Sequence, residues 1–322
     1  MIGIDGGFTH RARREICYVG VDNSFDRGER TLRELKGWSV DPETIRRLCH
    51  AEATACRKTK CDQIEAPAAF AKAPGHRELQ IDAGKVNTET GWRDVKLATF
   101  AVREPAEPCT PQDFEDRDLP KPTVRHAIAA IETAEEFGPR CKAEAEKLGF
   151  DDPSKLTVLG DGAAWIWNLA GVHFAGAEQT LDLFHATQYL ATLARAGFGE
   201  NGAAADGWRR RAQRALISDG WAGVCEFVQT TKAEMSDPAA LEAAYPHVAN
   251  YLVGHQDRML YAARLRQGAS VGSGMIEGAI KQHVGRRIKQ TGARWKTVHI
   301  GPFVELISIG QCDGWESYWS TH

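Results

Sequence analysis

The sequence predicts an α/β core interrupted by an all-α insertion and preceded by a small helical region. Three observations carry this reading. Two β-type runs follow one another at 78–86 (ELQIDAGKV) and 92–104 (WRDVKLATFAVRE). Two shorter apolar runs come later, LTVLGDGA and TLDLFHA, the first ending in Asp-Gly. Residues 205–265 are almost entirely helical in composition, inside an insertion spanning about 200–265. At 322 residues and 43% hydrophobic, the chain can bury a large core in two or three structural units. Its formal charge of −3 is no global basic signature, so affinity for a polyanion must come from local patches. Eight cysteines are too dilute for a disulfide scaffold, and there is no signal peptide or long apolar run. Reduced thiols and a soluble, cytoplasmic chain without a membrane partner are expected.

Taken in order, residues 1–25 show a basic cluster (His10, Arg11, Arg13, Arg14) and no clear periodicity. From Asp26 to about Lys60 the pattern is helical, broken at Gly37-Trp38-Ser39-Val40. Asp41, Pro42 and Glu43 then read as N-cap, first helical position and acidic first turn. Two helices with a short Gly-containing turn, the second bearing Arg46, Arg47, Arg57 and Lys58, outline a helix-turn-helix over residues 1–61. An ordinary αα-hairpin is the alternative. The Ala/Pro-rich stretch 62–77 reads as a linker, and 78–322 as the main domain. After the two long strands and a Pro-rich loop at 105–122, residues 124–148 read as an Ala/Glu/Lys helix. LTVLGDGA is a buried strand, and TLDLFHA a strand running into a helix over 186–196. A basic helix begins at about 273.

That last helix is the most informative stretch: VGSGMIEGAIKQHVGRRIKQTGARWK, residues 271–296. One acid, Glu277, precedes Lys281, His283, Arg286, Arg287, Lys289, Arg294 and Lys296. A solvated helix usually alternates charge for i,i+4 support. The plain reading here is a metal-binding acid beside a phosphate-binding face. Two further acids stand at strand ends beside small residues: Asp82 before Ala83-Gly84, and Asp161 before Gly162. Such pairs singly mark turns. Together with Glu277 they suit two divalent ions clamping an in-line phosphoryl displacement, with Mg²⁺ or Mn²⁺ taking the oxygen ligands.

The stretches GWSVDPETIRRLCHAE, QIDAGKVNTETGWRDVKLATF, VLGDGAAWIWNLA, LDLFHATQYLA and GSGMIEGAIKQHVGRRIKQTGARW together resemble bacterial insertion-sequence transposases of the ISKra type. These are DDE enzymes with a ribonuclease-H-like core, related in outline to Mutator-like transposases. The resemblance runs from about residue 1 to the C-terminal WESYW. It implies a ribonuclease-H-like mixed sheet and DNA cutting and joining at element ends. It also implies Asp82, Asp161 and Glu277 as metal ligands, and Asp182 and His185 as an Asp-x-x-His element. Relatives of this type are expected to carry a further region ahead of the helix-turn-helix. The expected partner is double-stranded DNA, element ends and target, bound by a homo-oligomer on the nucleoid. The DNA-binding candidates are Arg46, Arg47, Lys281, Arg286, Arg287, Lys289, Arg294 and Trp295.

Other readings stay beside these. A catalytically idle DNA-binding remnant and a ribonuclease-H-like nuclease are the rival functions. From the residues alone His185 reads first as a core histidine; the resemblance implies an active-site supporting role, with Asp182 orienting it. Trp165 and Trp167 are expected to pack the helix after Asp161, whereas Trp295 suits phosphate contact plus stacking. Gly268-Ala-Ser270-Val-Gly272 matches a nucleophile elbow but follows a helix-like run, not a strand. Cys49, His50, Cys56 and Cys61 fit no common zinc spacing. Asp5-Gly6-Gly7 reads as a turn, and His247 and His255 lack a third ligand.

Overall fold

A computed structural model describes residues 4–5, 7–60, 65–199, 202–310 and 314–320. Gly6, Cys61 and Cys312 lie outside the described residues. A small hairpin, β1 (Ile4–Asp5) with β2 (Phe8–Thr9), opens the chain, with Gly7 at φ 84° at its turn. Helix α1 (His10–Asp22) follows directly, capped by Thr9, whose side chain accepts from the Ala12 N–H. Half of the stretch without visible periodicity, His10–Asp22, is thus a helix. Its inner stripe is short, Ile16, Cys17, Gly20 and Val21, and it packs so closely that a Cβ on Gly20 would overlap the Cys49 sulfur. Its basic cluster is neutralised: Arg11 pairs with Glu15, Arg13 with Glu52 and Arg14 with Glu316.

Helices α2 (Phe25–Lys36) and α3 (Pro42–Lys60) match the expected pair, with Gly37 left-handed at φ 67° and Asp41 accepting from the Thr44 N–H at 3.0 Å. Yet α3 is largely an interior helix. Ile45, Leu48, Cys49, Ala53 and Cys56 are all buried, in one core with α1 and the C-terminal helices. The stretch expected as a linker contains helix α4 (Glu65–Lys72), anchored by buried Phe70 against Phe150. The described residues of the N-terminal stretch thus share a core with α12 and α13.

The sheet has five strands in the order β5-β4-β3-β6-β7. Strands β3 (His76–Thr88) and β4 (Gly91–Arg103) form a long hairpin. Strand β5 (Val124–Ala130) extends it antiparallel, while β6 (Leu156–Gly160) and β7 (Glu178–Leu181) add parallel to β3 on its other side. The mixed α/β class holds. The single helix expected over 124–148 is instead β5 followed by α5 (Ala134–Lys147), which starts at a Thr133/Glu136 capping box. VRHAIAA has helix-favouring composition, but Ile128 and Ala130 fill one core and Ala129 the other. The free edge of β5 is closed by side chains: the Ala129 N–H donates to Glu305 at 3.0 Å, and Arg57 donates to the Ala129 carbonyl.

One face of the sheet carries α5, α6 (Ala164–His173) and α7 (Leu183–Phe198) in a core that continues into α8 (Ala203–Thr231), α9 (Pro238–Val253) and α10 (Tyr261–Arg266). The helical block adds no strand, as expected. It does not stand apart, because its Leu216, Val248 and Leu265 belong to the same core as Leu79 and Ile81 of β3. α8 is broken at Asp219 and Gly220, the latter at φ 60°. The basic helix divides into α11 (Gly274–Ala279) and a π-helical segment Ile280–Ile288, followed by α12 (Thr297–Gly310) and α13 (Gly314–Ser320). No helix among the described residues is long and apolar enough to cross a membrane.

Candidate active site

Strand register decides which acids meet. β3 and β6 run parallel with Gln80 opposite Leu159, and two further residues along each strand bring Asp82 level with Asp161. β6 and β7 are parallel with Gly160 opposite Leu181, so the next pair is Asp161 and Asp182; the Asp182 N–H donates to the Gly160 carbonyl at 2.8 Å. Three aspartates thus line up across neighbouring parallel strands: Asp161 and Asp182 follow the last residues of β6 and β7, whereas Asp82 lies in the middle of β3 and not at the strand end expected, because the β3–β4 hairpin runs on past it. Glu277 comes from α11, which is fixed to β3 where the Ile276 N–H donates to the Gln80 side chain at 3.1 Å.

Each carboxylate has a distinct setting. Asp82 accepts from the Ala83 N–H at 2.6 Å. Its pKa is raised to about 6, first by burial and then by the like charges of Asp161, Glu277 and Asp182. Asp161 accepts from the Ala163 N–H at 3.0 Å, around Gly162 at φ 98°. That turn is gripped from α9: the Tyr251 hydroxyl donates to the Asp161 carbonyl at 2.7 Å, and a Cβ on Gly162 would overlap the Tyr251 ring. Tyr251 stacks on Tyr189 at 3.8 Å between centroids and 8° between planes. Burial, then Tyr189, Asp161 and Asp182, push its hydroxyl pKa up, so it stays a donor.

Asp182 has both oxygens engaged. One caps α7 by accepting from the His185 N–H at 2.7 Å, and the other accepts from the N–H and hydroxyl of Ser273 at the entry to α11. Asp182 therefore meets His185 through its backbone, not its imidazole, and clamps the third acid's helix to the sheet. The His185 ring lies 6.2 Å from Tyr251 and 6.0 Å from Tyr189, in the aromatic group beside the Asp161 turn.

Glu277 is half exposed and pairs with Lys281 at 2.7 Å, so the i,i+4 pairing thought absent from the basic helix is present. Among the described residues, no three His, Cys, Asp or Glu side chains stand close enough to hold a metal ion as placed. The donor chemistry nevertheless fits a hard divalent cation. All the donors are oxygens, and Asp82 carries a like-charge burden that a cation would relieve. Glu277 would have to exchange Lys281 for the ion.

Of the expected DNA contacts, Arg47, Lys281, Arg286, Lys289 and Arg294 are exposed. Arg46 pairs with Glu43 on its own helix. Two expectations are corrected. Arg287 is 3% exposed; it donates twice to the Gly20 carbonyl, at 3.0 and 2.8 Å, and lies within 5.5 Å of the Phe25, Trp295 and Phe303 rings. Burial draws its pKa down to about 10. Trp295 is held in that cluster, donating from its indole to the Ile288 carbonyl at 3.0 Å. Both therefore hold the fold together. Trp167 is buried and Trp165 partly so, as expected.

The alternatives for other residues also resolve. Ser270 is fully buried and donates to Glu78, which excludes a nucleophile elbow. Cys49 and Cys56 are buried in the core, and His50 faces Arg46 at 3.3 Å with its pKa lowered to about 3 by burial, then His299. The sequence reading missed Gln80, Ser273 and Tyr251. Gln80 had a signal: Glu78, Gln80 and Asp82 alternate along β3 as a polar row between Leu79 and Ile81. Tyr251 had none, being ninety residues from the turn it holds. No protein-family model and no curated protein matches this chain.

Proposed function

We propose that this protein is a metal-dependent polynucleotidyl transferase: a DDE transposase with a ribonuclease-H-like core that cuts and joins DNA strands. The observation that carries the proposal is the alignment of Asp82, in the middle of β3, with Asp161 just past the end of the neighbouring parallel strand β6, and Glu277 on a helix bonded to the same β3 strand. The sheet supports the same core. A three-strand antiparallel meander has its first strand flanked on the other side by two parallel strands, giving the order 3-2-1-4-5 along the chain.

In this reading Asp82, Asp161 and Glu277 hold Mg²⁺ or Mn²⁺. When bound, the ions supply charge for the attacking and leaving oxygens of a phosphodiester. The remaining residues keep that geometry. Gln80 and Asp182 pin the entry of α11 from two strands. Tyr251 fixes the Asp161 turn from the helical block, which gives the insertion a direct part in shaping the site. Lys281, released from Glu277, is then free to meet a phosphate on the exposed face.

The test is Mg²⁺- or Mn²⁺-dependent nicking and joining of end-labelled DNA carrying candidate element ends. Asp82→Asn, Asp161→Asn and Glu277→Gln should each abolish both activities while leaving metal-free DNA binding intact. Full activity in Glu277→Gln would remove the proposal. Nicking without joining by the parent would point to a nuclease, and DNA binding with neither activity to an idle remnant.

A further inference from the structure

The β3–β4 hairpin outruns the sheet. Pairing of β3 with β6 ends at Gln80, and pairing of β4 with β5 begins at Lys96. From about Ala83 to Val95 the two strands therefore form an arm beyond their neighbours. One edge of its tip is sealed by the stretch after the π-helical segment. The Trp295 N–H donates to the Asn87 carbonyl at 3.1 Å, the Glu89 N–H to the Trp295 carbonyl at 3.0 Å, and the Asn87 amide to the Ala293 carbonyl at 3.3 Å. Two stretches some two hundred residues apart in sequence are thus one surface.

At the tip, Trp92 is 57% exposed, with the Lys289 ammonium 5.4 Å from its ring centre. On the Trp92 face Lys85 pairs with Asp94 at 3.8 Å, while Arg93, opposite Val86, is on the other face; Arg286, Arg294 and Lys296 are exposed on the π-helical segment and the stretch after it, and Glu89 at the turn. More than half of this indole is open to solvent, with the Lys289 ammonium beside it. It offers a π-face flanked by phosphate-binding charges. Trp92 stands opposite Asn87, five residues from Asp82 along β3, or about 17 Å at the strand rise.

We propose that this arm binds a single-stranded segment of a polynucleotide, with Trp92 stacking on an unpaired base and the flanking cations holding its phosphates. The proposal rests on the reading of the acid site as polynucleotide chemistry and names the strand form held beside it. A duplex keeps its bases stacked on one another and offers this indole no face.

The test is fluorescence anisotropy of the full chain in EDTA, with a labelled fifteen-nucleotide oligothymidylate and a labelled duplex of mixed sequence as probes. Trp92→Ala should weaken oligothymidylate binding about 10-fold and leave duplex binding within about 2-fold. Trp92→Phe should retain most of the affinity. Lys289→Ala should flatten the slope of log K against log salt by about 0.7 for the single strand. Unchanged oligothymidylate binding by Trp92→Ala, or an equal loss on both probes, would overturn the proposal. If the parent nicks DNA with Mg²⁺ while Trp92→Ala binds normally, the arm fails and the polynucleotide reading stands. If Trp92→Ala loses single-strand binding and the parent never nicks, the reverse holds.

Discussion

Replacing Asp82 by Asn should stabilise the metal-free protein by an amount that grows as pH rises from about 4 and levels off above about pH 6. The structure raises the Asp82 pKa from 3.8 to about 6, through burial and three neighbouring carboxylates. A carboxylate with a raised folded-state pKa contributes stability that is fully present below its unfolded pKa and lost as pH rises through the folded one. Ionised Asp82 is thus a burden on the fold at pH 8. Two pKa units correspond to about 3 kcal/mol at most. Asn keeps the acceptor for the Ala83 N–H but carries no charge, so Asp82→Asn should gain up to that amount at pH 8 and almost nothing near pH 4. In a chain of this size the gain is about 4–6 °C in melting temperature. Thermal melts in EDTA at pH 4.5, 6 and 8 read it directly. Adding Mg²⁺ at pH 8 should raise the melting temperature of the parent and leave Asp82→Asn nearly unmoved, because only the parent has the full ligand set. A melting difference that is flat across pH, or an equal Mg²⁺ response in both proteins, would refute the electrostatic account.

The remaining predictions concern neighbouring groups. Tyr251→Phe removes one hydrogen bond to the Asp161 turn and should cost about 1 kcal/mol, measured by urea denaturation, while raising the Mg²⁺ concentration needed for half-maximal nicking. Gly162→Ala should cost more, about 1–3 kcal/mol, since it forces a side chain at φ 98° into Tyr251. Arg287→Met should lower the melting temperature without changing the salt slope of duplex binding. The exposed pair Arg286→Ala and Lys289→Ala should leave stability intact and flatten that slope by about 0.9 per lost contact. Equal behaviour of the buried and exposed residues in that salt titration would contradict the division drawn between them.

Several parts of this protein were legible in its residues because their determinants are local. Strand-type runs along 78–86 and 92–104, the second alternating in places, marked the two strands of the β3–β4 hairpin, and Asp41-Pro42-Glu43 marked the start of α3. The Asp161-Gly162 turn was visible because positive φ favours glycine. The sequence also singled out Asp82, Asp161 and Glu277, since an acid after an apolar run and beside small residues, or alone on a cationic helix, is conspicuous by itself, although β3 carries on past Asp82. What it did not settle depends on partners far along the chain. β5 has the composition of a helix and is a strand because β4 offers an edge, which Glu305 and Arg57 then close. Arg287 and Arg286 are neighbours in one basic run, yet only the packing of α1 and α12 around the π-helical segment buries one and leaves the other in water. Asp182 reads as a partner of His185, while the fold spends its second oxygen on Ser273, ninety-one residues later. Residue type and spacing are enough to nominate charges. Whether a charge faces a metal, a phosphate or the interior is set by desolvation and long-range hydrogen bonding, which exist only once the chain has closed on itself.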